Sequence, residues 1–243
     1  MTGTQTGARR RRPRREWRLA GAGPAATLVL AAVLLVASPA PPYPAAPAAD
    51  ATRTAFDHWR AANPQGARQA DAFEAYLRER DVADVVPLAG LLAGDSQLAA
   101  RMGGRCPVAA FAVPPRALWP NMVPVLRAVR SHVVPAIGPV RVVSGWREPD
   151  FNACVGGASR SHHTRFAALD LVPVRPAPAA ETMDRLCTMW RRSPATARLG
   201  FGAYLDPDRP HLNREGRFHV DVRGKRTWGF GYRSPTSWCN LRT

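Results

Sequence analysis

An aspartate inside an apolar run is the feature that most constrains this chain. Asp170 lies within "AALDLVPV", whose other side chains are those of a buried strand. Burying an unpaired carboxylate costs several kcal/mol or forces the group to take up a proton. The sequence therefore predicts that Asp170 has a buried partner, and a metal ion is one partner that would satisfy it.

Apolar periodicity predicts a helical prefix followed by a small sheet. "TAFDHWRAAN", "QADAFEAYLRERDV", "ALWPNMVPVLRAVRSHVVPAIG" and "AAETMDRLCTMWRRS" have the spacing of helices. Short strands are predicted at Val140–Ser144, in "AALDLVPV", in "GRFHVDVRG" and in "KRTWGFGY", the last two joined by a tight turn around Gly224. Because helices and strands are segregated, we expect an α+β fold with a small, mainly antiparallel sheet and flanking helices.

The beginning of the chain has the order of an export signal. Arginines at positions 9–18 precede an uncharged stretch at 19–38, whose apolar core is shorter than a full membrane span. We expect residues 1–38 to be a basic flank with a signal peptide or an uncleaved anchor in the inner membrane. The body would then be periplasmic, or anchored to the cytoplasmic membrane and facing outward. A Pro/Ala-rich linker at 39–50, a helical prefix at 51–105 and a globular domain at 106–243 follow.

The net charge indicates which binding partners suit this chain, and its cysteines indicate the compartment in which it acts. The net charge is +16, and +10 remains when residues 1–18 are left out, which favours an anionic surface or polymer. A nucleic-acid partner would rest on charge alone, and we expect none. Four cysteines without C-x-x-C spacing favour disulfides in an oxidising compartment over a thiolate zinc site. All three pairings stay open: the residues are Cys106, Cys154, Cys187 and Cys239.

Alternation in "RFHVDVR" predicts where the polar side chains of one strand point. Successive side chains of a strand face opposite sides, so His219 and Asp221 project together, away from the core. With Asp170 and a loop histidine opposite, the set would be two imidazoles, a ligating carboxylate and a spare carboxylate. Catalytic zinc takes three such ligands and leaves a position for water, on which a carboxylate can act as base. The spacing from His163 to Asp170, H-x6-D, has another explanation when it is taken alone. A turn histidine and a strand-end aspartate that merely hold a loop explain it equally well.

The stretch "SGWREPDFNACVGGASRSHHTRFAALDL", residues 144–171, resembles the zinc D-Ala-D-Ala peptidases that share the Hedgehog-like fold. The matching pattern is S-G-[YW]-R-x-P-x-x-N, then G-G-A, then S-x-H-x-x-G-x-A-x-D, and thirteen positions agree. "RFHVDVRGKRTW" is similar to the later H-x-D segment of that family, with its trailing tryptophan. The resemblance covers roughly residues 111–232 and does not extend to the helical prefix.

The resemblance implies a zinc site and a substrate side. Its ligands would be His163, Asp170 and His219, with His162 as a neighbour of the ligand. Arg147 would hold a carboxylate or carbonyl oxygen of the substrate near the metal, where a fork of donors suits a developing oxyanion. We place two further residues with it on the substrate side: Ser161, which shapes the ligand loop, and Trp228.

Two positions depart from the family pattern. Phe166 stands where the family has glycine, and a positive φ there would strain phenylalanine by about 1 to 2 kcal/mol and favour another path for the loop. Gly216 stands where many relatives have an acid. We prefer Asp221 as the catalytic base because it shares the face of His219, although it can instead accept the second N–H of that ligand. Glu215 is the fallback base.

These observations predict a zinc-dependent peptidase that hydrolyses peptide bonds of cell-wall peptidoglycan. It would act either as a carboxypeptidase or as an endopeptidase. The alternative is a zinc-stabilised module that binds the cell wall without hydrolysing it. Gly216 and Phe166 motivate that alternative, because both change the family pattern at the site.

Overall fold

The structure, a computed structural model, describes residues 49–242. The predicted basic flank and signal or anchor segment at 1–38 lie outside the described residues, as does most of the linker. Among residues 49–242, no helix is both long enough and apolar enough to cross a membrane.

The first part of the described chain is a set of four helices. They are α1 (Ala49–Ala62), α2 (Pro64–Arg78), α3 (Leu88–Leu92) and α4 (Ser96–Arg101). Apolar residues on one face of α2, such as Phe73, belong to the same hydrophobic core as the strands of the sheet. The predicted helical periodicity of this region is therefore observed, and its apolar face packs against the later part of the chain.

A five-stranded sheet forms the centre of the fold. Its strands are β1 (Val140–Ser144), β2 (Ala168–Pro173), β3 (Gly200–Ala203), β4 (Phe218–Asp221) and β5 (Arg226–Trp228). The spatial order is β1-β2-β4-β3-β5, and every pairing is antiparallel except that of β3 with β5. The predicted α+β class with a small, mainly antiparallel sheet is confirmed.

Further helices flank this sheet. Helix α5 (Trp119–Ala128) continues through a π-helical turn, Val129–Val133, into α6 (Val134–Ile137). The others are α7 (Pro149–Cys154), α8 (Ala179–Arg192) and α9 (Trp238–Leu241). Val125, Leu126, Val129 and Val133 are fully buried, as their spacing predicts.

Strands β4 and β5 are joined by a short turn around Gly224, as predicted, but β3 lies between them in the sheet, so the two do not pair. Glycine has low β propensity, which is why "GFGA" did not indicate a strand. In the register of the sheet, Gly200 lies opposite Asp221 and Gly202 opposite His219. A Cβ at Gly200 would lie 2.5 Å from Asp221 Oδ1, and one at Gly202 would lie 2.9 Å from His219 Cβ. The two glycines therefore leave room for the polar side chains of β4.

Phe166 keeps the left-handed backbone that suits glycine, with φ at 50° and ψ at 44°. Its ring is fully buried and its centroid lies 5.6 Å from that of Phe73 in α2. The loop therefore does not need another path to accommodate phenylalanine. The strain of about 1 to 2 kcal/mol is opposed by the burial of an aromatic ring against the helical prefix.

All four cysteines form disulfides, which confirms the preference for disulfides over a thiolate zinc site. Cys106 pairs with Cys154 and Cys187 pairs with Cys239, across sequence separations of 48 and 52 residues. In the chain-entropy model, closing a loop of this length stabilises the fold by about 4 kcal/mol. The first disulfide joins α7 to the segment that follows the helical prefix, and the second joins α8 to α9.

The left-handed conformation at position 166 predicts that a glycine variant is more stable than an alanine variant, the reverse of the usual order. Phe166→Ala should lower the free energy of unfolding by about 3 to 5 kcal/mol, because it removes a buried ring. Phe166→Gly should be about 1 kcal/mol more stable than Phe166→Ala, because glycine adopts this backbone without strain. Denaturant unfolding of both variants measures the difference. An alanine variant that is the more stable of the two would contradict the left-handed assignment.

Candidate metal centre

Three buried side chains converge at one point on the polar face of the sheet. They are His163, Asp170 and His219, and one potential ligand atom from each lies within 4.8 Å of the others. His219 Nδ1 is 3.0 Å from Asp170 Oδ1 and 3.2 Å from His163 Nε2. His163 Nε2 is 3.4 Å from Asp170 Oδ1. The three ligand residues that the resemblance implies are therefore brought together.

Neighbouring strands and one loop place these side chains. Asp170 on β2 and His219 on β4 are direct partners in the antiparallel register. Side chains of opposed residues lie on the same face of a sheet, so the carboxylate and the imidazole meet. His163 begins the short 3₁₀ turn ahead of β2, and its backbone N–H donates to Ser161 Oγ over 3.3 Å. Ser161 thus shapes the ligand loop.

In each imidazole, one ring nitrogen is hydrogen-bonded outside the cluster, and this bond determines whether the other nitrogen can bind a cation. His163 Nδ1 is 2.8 Å from the carbonyl oxygen of Gly145, which can only accept, so Nδ1 carries the proton and Nε2 is left as an acceptor. His219 Nε2 is 3.1 Å from Asp221 Oδ2 and donates to it, which leaves Nδ1 as an acceptor. Two ring nitrogens and a carboxylate oxygen then face one another with no donor among them. This arrangement fits a divalent metal ion, and the donor set is that of catalytic zinc.

Burial and the neighbouring charges shift the pKa values of the two histidines in opposite directions. Burial, together with the charge of Arg147, lowers the pKa of His163 to about 4. Burial would also lower the pKa of His219, but its hydrogen bonds to Asp170 and Asp221 raise it overall. His163 is therefore neutral near pH 7 and ready to act as a ligand, while His219 binds a cation in competition with a proton.

The carboxylate of Asp170 is held in its ionised form. Burial would raise the pKa of Asp170, but the charge that His163 carries at acid pH and the permanent charge of Arg217 outweigh burial and hold that pKa well below its usual range. Its second oxygen, Oδ2, accepts from Arg217 Nη2 over 2.7 Å and from Arg147 Nη2 over 2.9 Å. One oxygen of Asp170 thus faces the two imidazoles while the other is bound by two guanidinium groups.

Arg147 lies behind the ligand carboxylate rather than in an open cleft. Besides Asp170, its side chain donates to Ser144 Oγ over 3.1 Å and to Asp95 Oδ2 over 3.3 Å. Only 12% of the side chain is exposed. In this arrangement Arg147 contacts Asp170, the candidate ligand, whereas the resemblance implies a contact with the substrate.

Asp221 is a saturated acceptor. Its carboxylate, which is fully buried, accepts from His219, from both terminal nitrogens of Arg226 and from the backbone N–H of Arg223. Burial would raise the pKa of Asp221, but the bonds to His219 and Arg226 hold it well below its usual range. Such a carboxylate is poorly suited to take a proton from water.

Glu215 and Gly216 occupy the turn that leads into β4. Glu215 is partly exposed and contacts Arg141 over 3.3 Å and Gln97 over 3.4 Å. Gly216 has a φ of 67°, in the left-handed region. This backbone suits glycine and would strain an acid at position 216.

An aromatic wall borders one side of the three ligands. The ring of Trp228 packs edge-on beside that of His219 with centroids 5.1 Å apart, and its Nε1 donates to Tyr204 Oη over 3.1 Å. Burial, with the nearby charge of Asp170, raises the pKa of Tyr204 well above its usual range, so the hydroxyl keeps its proton. The sequence did not indicate Tyr204, because it follows the glycine-containing strand that the pattern missed.

His162 and His211 lie outside the cluster. His162 is half-buried, and burial lowers its pKa. Its place beside the ligand, without a ligand atom in the cluster, agrees with the S-x-H spacing that selects His163. His211 is exposed and lies in a short 3₁₀ helix, Pro210–Asn213.

Residues 104–204 match the family model described as Peptidase M15. The match confirms the resemblance predicted from the motifs and indicates a peptidase. It includes Arg147, His163 and Asp170, and it ends before His219 and Asp221. No curated protein and no solved structure matches the chain significantly.

Strand β3 lies so close to His219 that a methyl group added at Gly202 is predicted to disturb the cluster of candidate ligands. In Gly202→Ala, the new Cβ would lie 2.8 Å from the Tyr204 ring and 2.9 Å from His219 Cβ, so the imidazole must move. We expect the affinity for zinc to fall by about tenfold to a hundredfold, the usual effect of displacing the support of a ligand. Competition against a chromophoric chelator measures it.

Gly90→Ala is the matched control. Its Cβ would lie 3.6 Å from the nearest atom, Val142 Cβ, which is ordinary van der Waals contact. We expect this variant to bind zinc as the unaltered protein does. Equal affinities for both variants would show that β3 does not place His219.

Proposed function

We propose that this chain, which carries an M15 peptidase region at residues 104–204, is a zinc-dependent peptidase that cleaves peptide bonds of cell-wall peptidoglycan. The observation that carries the proposal is the meeting of three buried acceptor atoms, His163 Nε2, Asp170 Oδ1 and His219 Nδ1. The peptidoglycan substrate follows from the family resemblance, and the basic body of the chain is compatible with an anionic wall polymer.

Each ligand has a support that prepares it for the ion. A bound zinc ion would supply a Lewis acid and lower the pKa of water at the site. The carbonyl oxygen of Gly145 holds His163 in the tautomer with a free Nε2. The guanidinium groups of Arg147 and Arg217 hold Asp170 so that its Oδ1 stays on the imidazole side.

We assign Asp221 to the positioning of His219 rather than to proton abstraction. Its acceptor sites are filled by His219, Arg226 and Arg223, as described above. Glu215 is then the candidate for the proton acceptor, supported by its partial exposure at the turn that leads into β4.

The substrate side is assigned to the wall beside His219. Trp228 offers an aromatic surface there, and Tyr204 offers a hydroxyl proton, because its oxygen already accepts from the Trp228 indole. A protonated hydroxyl next to the ligands can donate to a carbonyl oxygen as negative charge develops on it. Ser161 stays a substrate-side candidate because it lies on the loop that carries His163, whose backbone N–H it accepts.

We also propose that the protein acts outside the cytoplasm. The basic flank and apolar segment at 1–38 have the order of an export signal or an outward-facing membrane anchor. The two disulfides support an oxidising compartment.

Two observations favour a second function. Because Asp221 is saturated and position 216 is glycine, the chain could bind zinc and the wall peptide without hydrolysing it. This zinc-stabilised binding module would share the ligands, the fold and the compartment of the enzyme. Only a test of cleavage separates the two.

The first test incubates the full-length chain, purified in mild detergent, with muropeptides. We expect shortened peptides by mass spectrometry, loss of cleavage with a chelator and its recovery with zinc, because the ligands hold the ion that drives hydrolysis. Loss of a terminal residue would identify a carboxypeptidase, and cleavage of a cross-link an endopeptidase. Asp170→Asn, which weakens a ligand, serves as the inactive control. One bound zinc without any cleavage would favour the binding module.

The second test separates the two acids. Asp221→Asn should weaken zinc binding by about tenfold to a hundredfold, because the amide holds the His219 tautomer less well. Glu215→Gln should leave zinc affinity unchanged and lower kcat by about 10² to 10⁴, the range for loss of a general base. Zinc titration and steady-state kinetics give both quantities. Unchanged kcat in Glu215→Gln would remove Glu215 from the mechanism.

A further inference from the structure

We propose that Asp95, in the helical prefix, is a positioning residue of the metal centre. It acts through the two arginines that hold Asp170, and it balances their charge. The inference rests on the proposed binding of zinc by His163, Asp170 and His219. It extends the site beyond the matched family region, because Asp95 precedes residue 104.

The contacts of Asp95 make it the second carboxylate of a buried ion cluster. Its side chain has no exposed surface. Asp95 Oδ2 is 3.2 Å from Arg217 Nη2 and 3.3 Å from Arg147 Nη2. The same two nitrogens bind Asp170 Oδ2 over 2.7 Å and 2.9 Å. Each arginine is therefore shared between the metal ligand and an acid that does not bind the metal.

Charge balance gives Asp95 an influence on an ion that it does not touch. Asp95 and Asp170 carry two negative charges, and Arg147 and Arg217 carry two positive charges. Without the charge of Asp95, one positive charge in excess would lie directly behind the ligand carboxylate. Charges interact strongly in a buried site, so that excess would oppose a divalent cation at Asp170 Oδ1. It would also draw the Asp170 carboxylate towards the guanidinium side.

The first turn of α4 is built around the same arginines. Asp95 Oδ1 caps this helix by accepting the backbone N–H of Leu98 over 3.0 Å, which leaves Oδ2 for the arginines. Gln97, which is also buried, places Oε1 3.4 Å from Arg217 Nη1. The cap fixes the direction of the Asp95 carboxylate, so the prefix presents a rigid acid to the back of the metal centre.

Asp95→Asn in the full-length chain tests the charge alone. Asparagine caps a helix about as well as aspartate, so the bond to Leu98 is kept while the negative charge is lost. We expect the zinc dissociation constant to rise about tenfold or more, the scale of effects seen when groups that orient a ligand are lost. Chelator competition measures this constant without any substrate.

The control is Asp84→Asn, which removes the same charge from an exposed side chain that pairs with Arg130. We expect its zinc dissociation constant to equal that of the unaltered protein. An unchanged dissociation constant in Asp95→Asn would overturn the proposal.

A second variant separates charge balance from simple loss of structure. Asp95→Asn combined with Arg217→Gln removes one charge of each sign, so the remaining pair is neutral. We expect this double variant to bind zinc more tightly than Asp95→Asn alone, because the excess positive charge is gone, but more weakly than the unaltered protein, because Arg217 no longer holds Asp170. If Asp95→Asn alone does not fold, measurable zinc binding by the double variant is the expected result. A double variant that binds zinc as weakly as Asp95→Asn, or more weakly, would contradict the charge argument.

The outcomes also keep this inference apart from the proposed activity. Zinc binding that depends on Asp95, in a protein that cleaves no muropeptide, would contradict the peptidase and leave the role of Asp95 standing. Cleavage by a protein whose zinc affinity does not depend on Asp95 would support the peptidase and overturn the role of Asp95. Unaltered protein that binds no zinc would overturn both.

Discussion

The division of one carboxylate between two environments is the constraint on which this structure depends. Asp170 Oδ1 faces the acceptor nitrogens of two imidazoles, and Oδ2 accepts from two guanidinium groups. A carboxylate in a buried strand is stable only when both oxygens have partners. The register of the sheet places His219 beside Oδ1, where a shared cation would satisfy that oxygen, and Arg147 after β1 with Arg217 ahead of β4 supplies the partners of Oδ2. The fold around the site therefore satisfies a buried charge and prepares a ligand at the same time.

Strongly patterned parts of this fold could be predicted from the sequence. Strands β1, β2 and β4 follow from β-branched residues and from alternation, and the shared face of His219 and Asp221 follows from their apolar neighbours. The three candidate ligands came from two motifs, and they lie on a loop and on two strands. The disulfides were expected from cysteine usage, but their pairing depends on tertiary contacts that no spacing encodes.

Other parts were not readable because they depend on neighbours distant in sequence. Gly200 and Gly202 argue against a strand locally, and only the side chains opposite them explain their presence. Alternation placed Asp221 on the face of His219, but it could not show that Arg226 and the backbone of Arg223 occupy the same carboxylate. Asp95 has the sequence signature of an ordinary helix cap, and its second role appears only once Arg217, 122 residues away, folds against it.

The separation of the candidate ligands along the chain has a consequence for the order in which the site forms. His163 and Asp170 are close in sequence, whereas the third ligand follows Asp170 by 49 residues. Closing such loops is entropically costly until many contacts form together. A growing chain that ends before residue 219 holds only two of the three donors and binds a divalent ion weakly. The candidate metal centre can therefore assemble only after β4 has been synthesised.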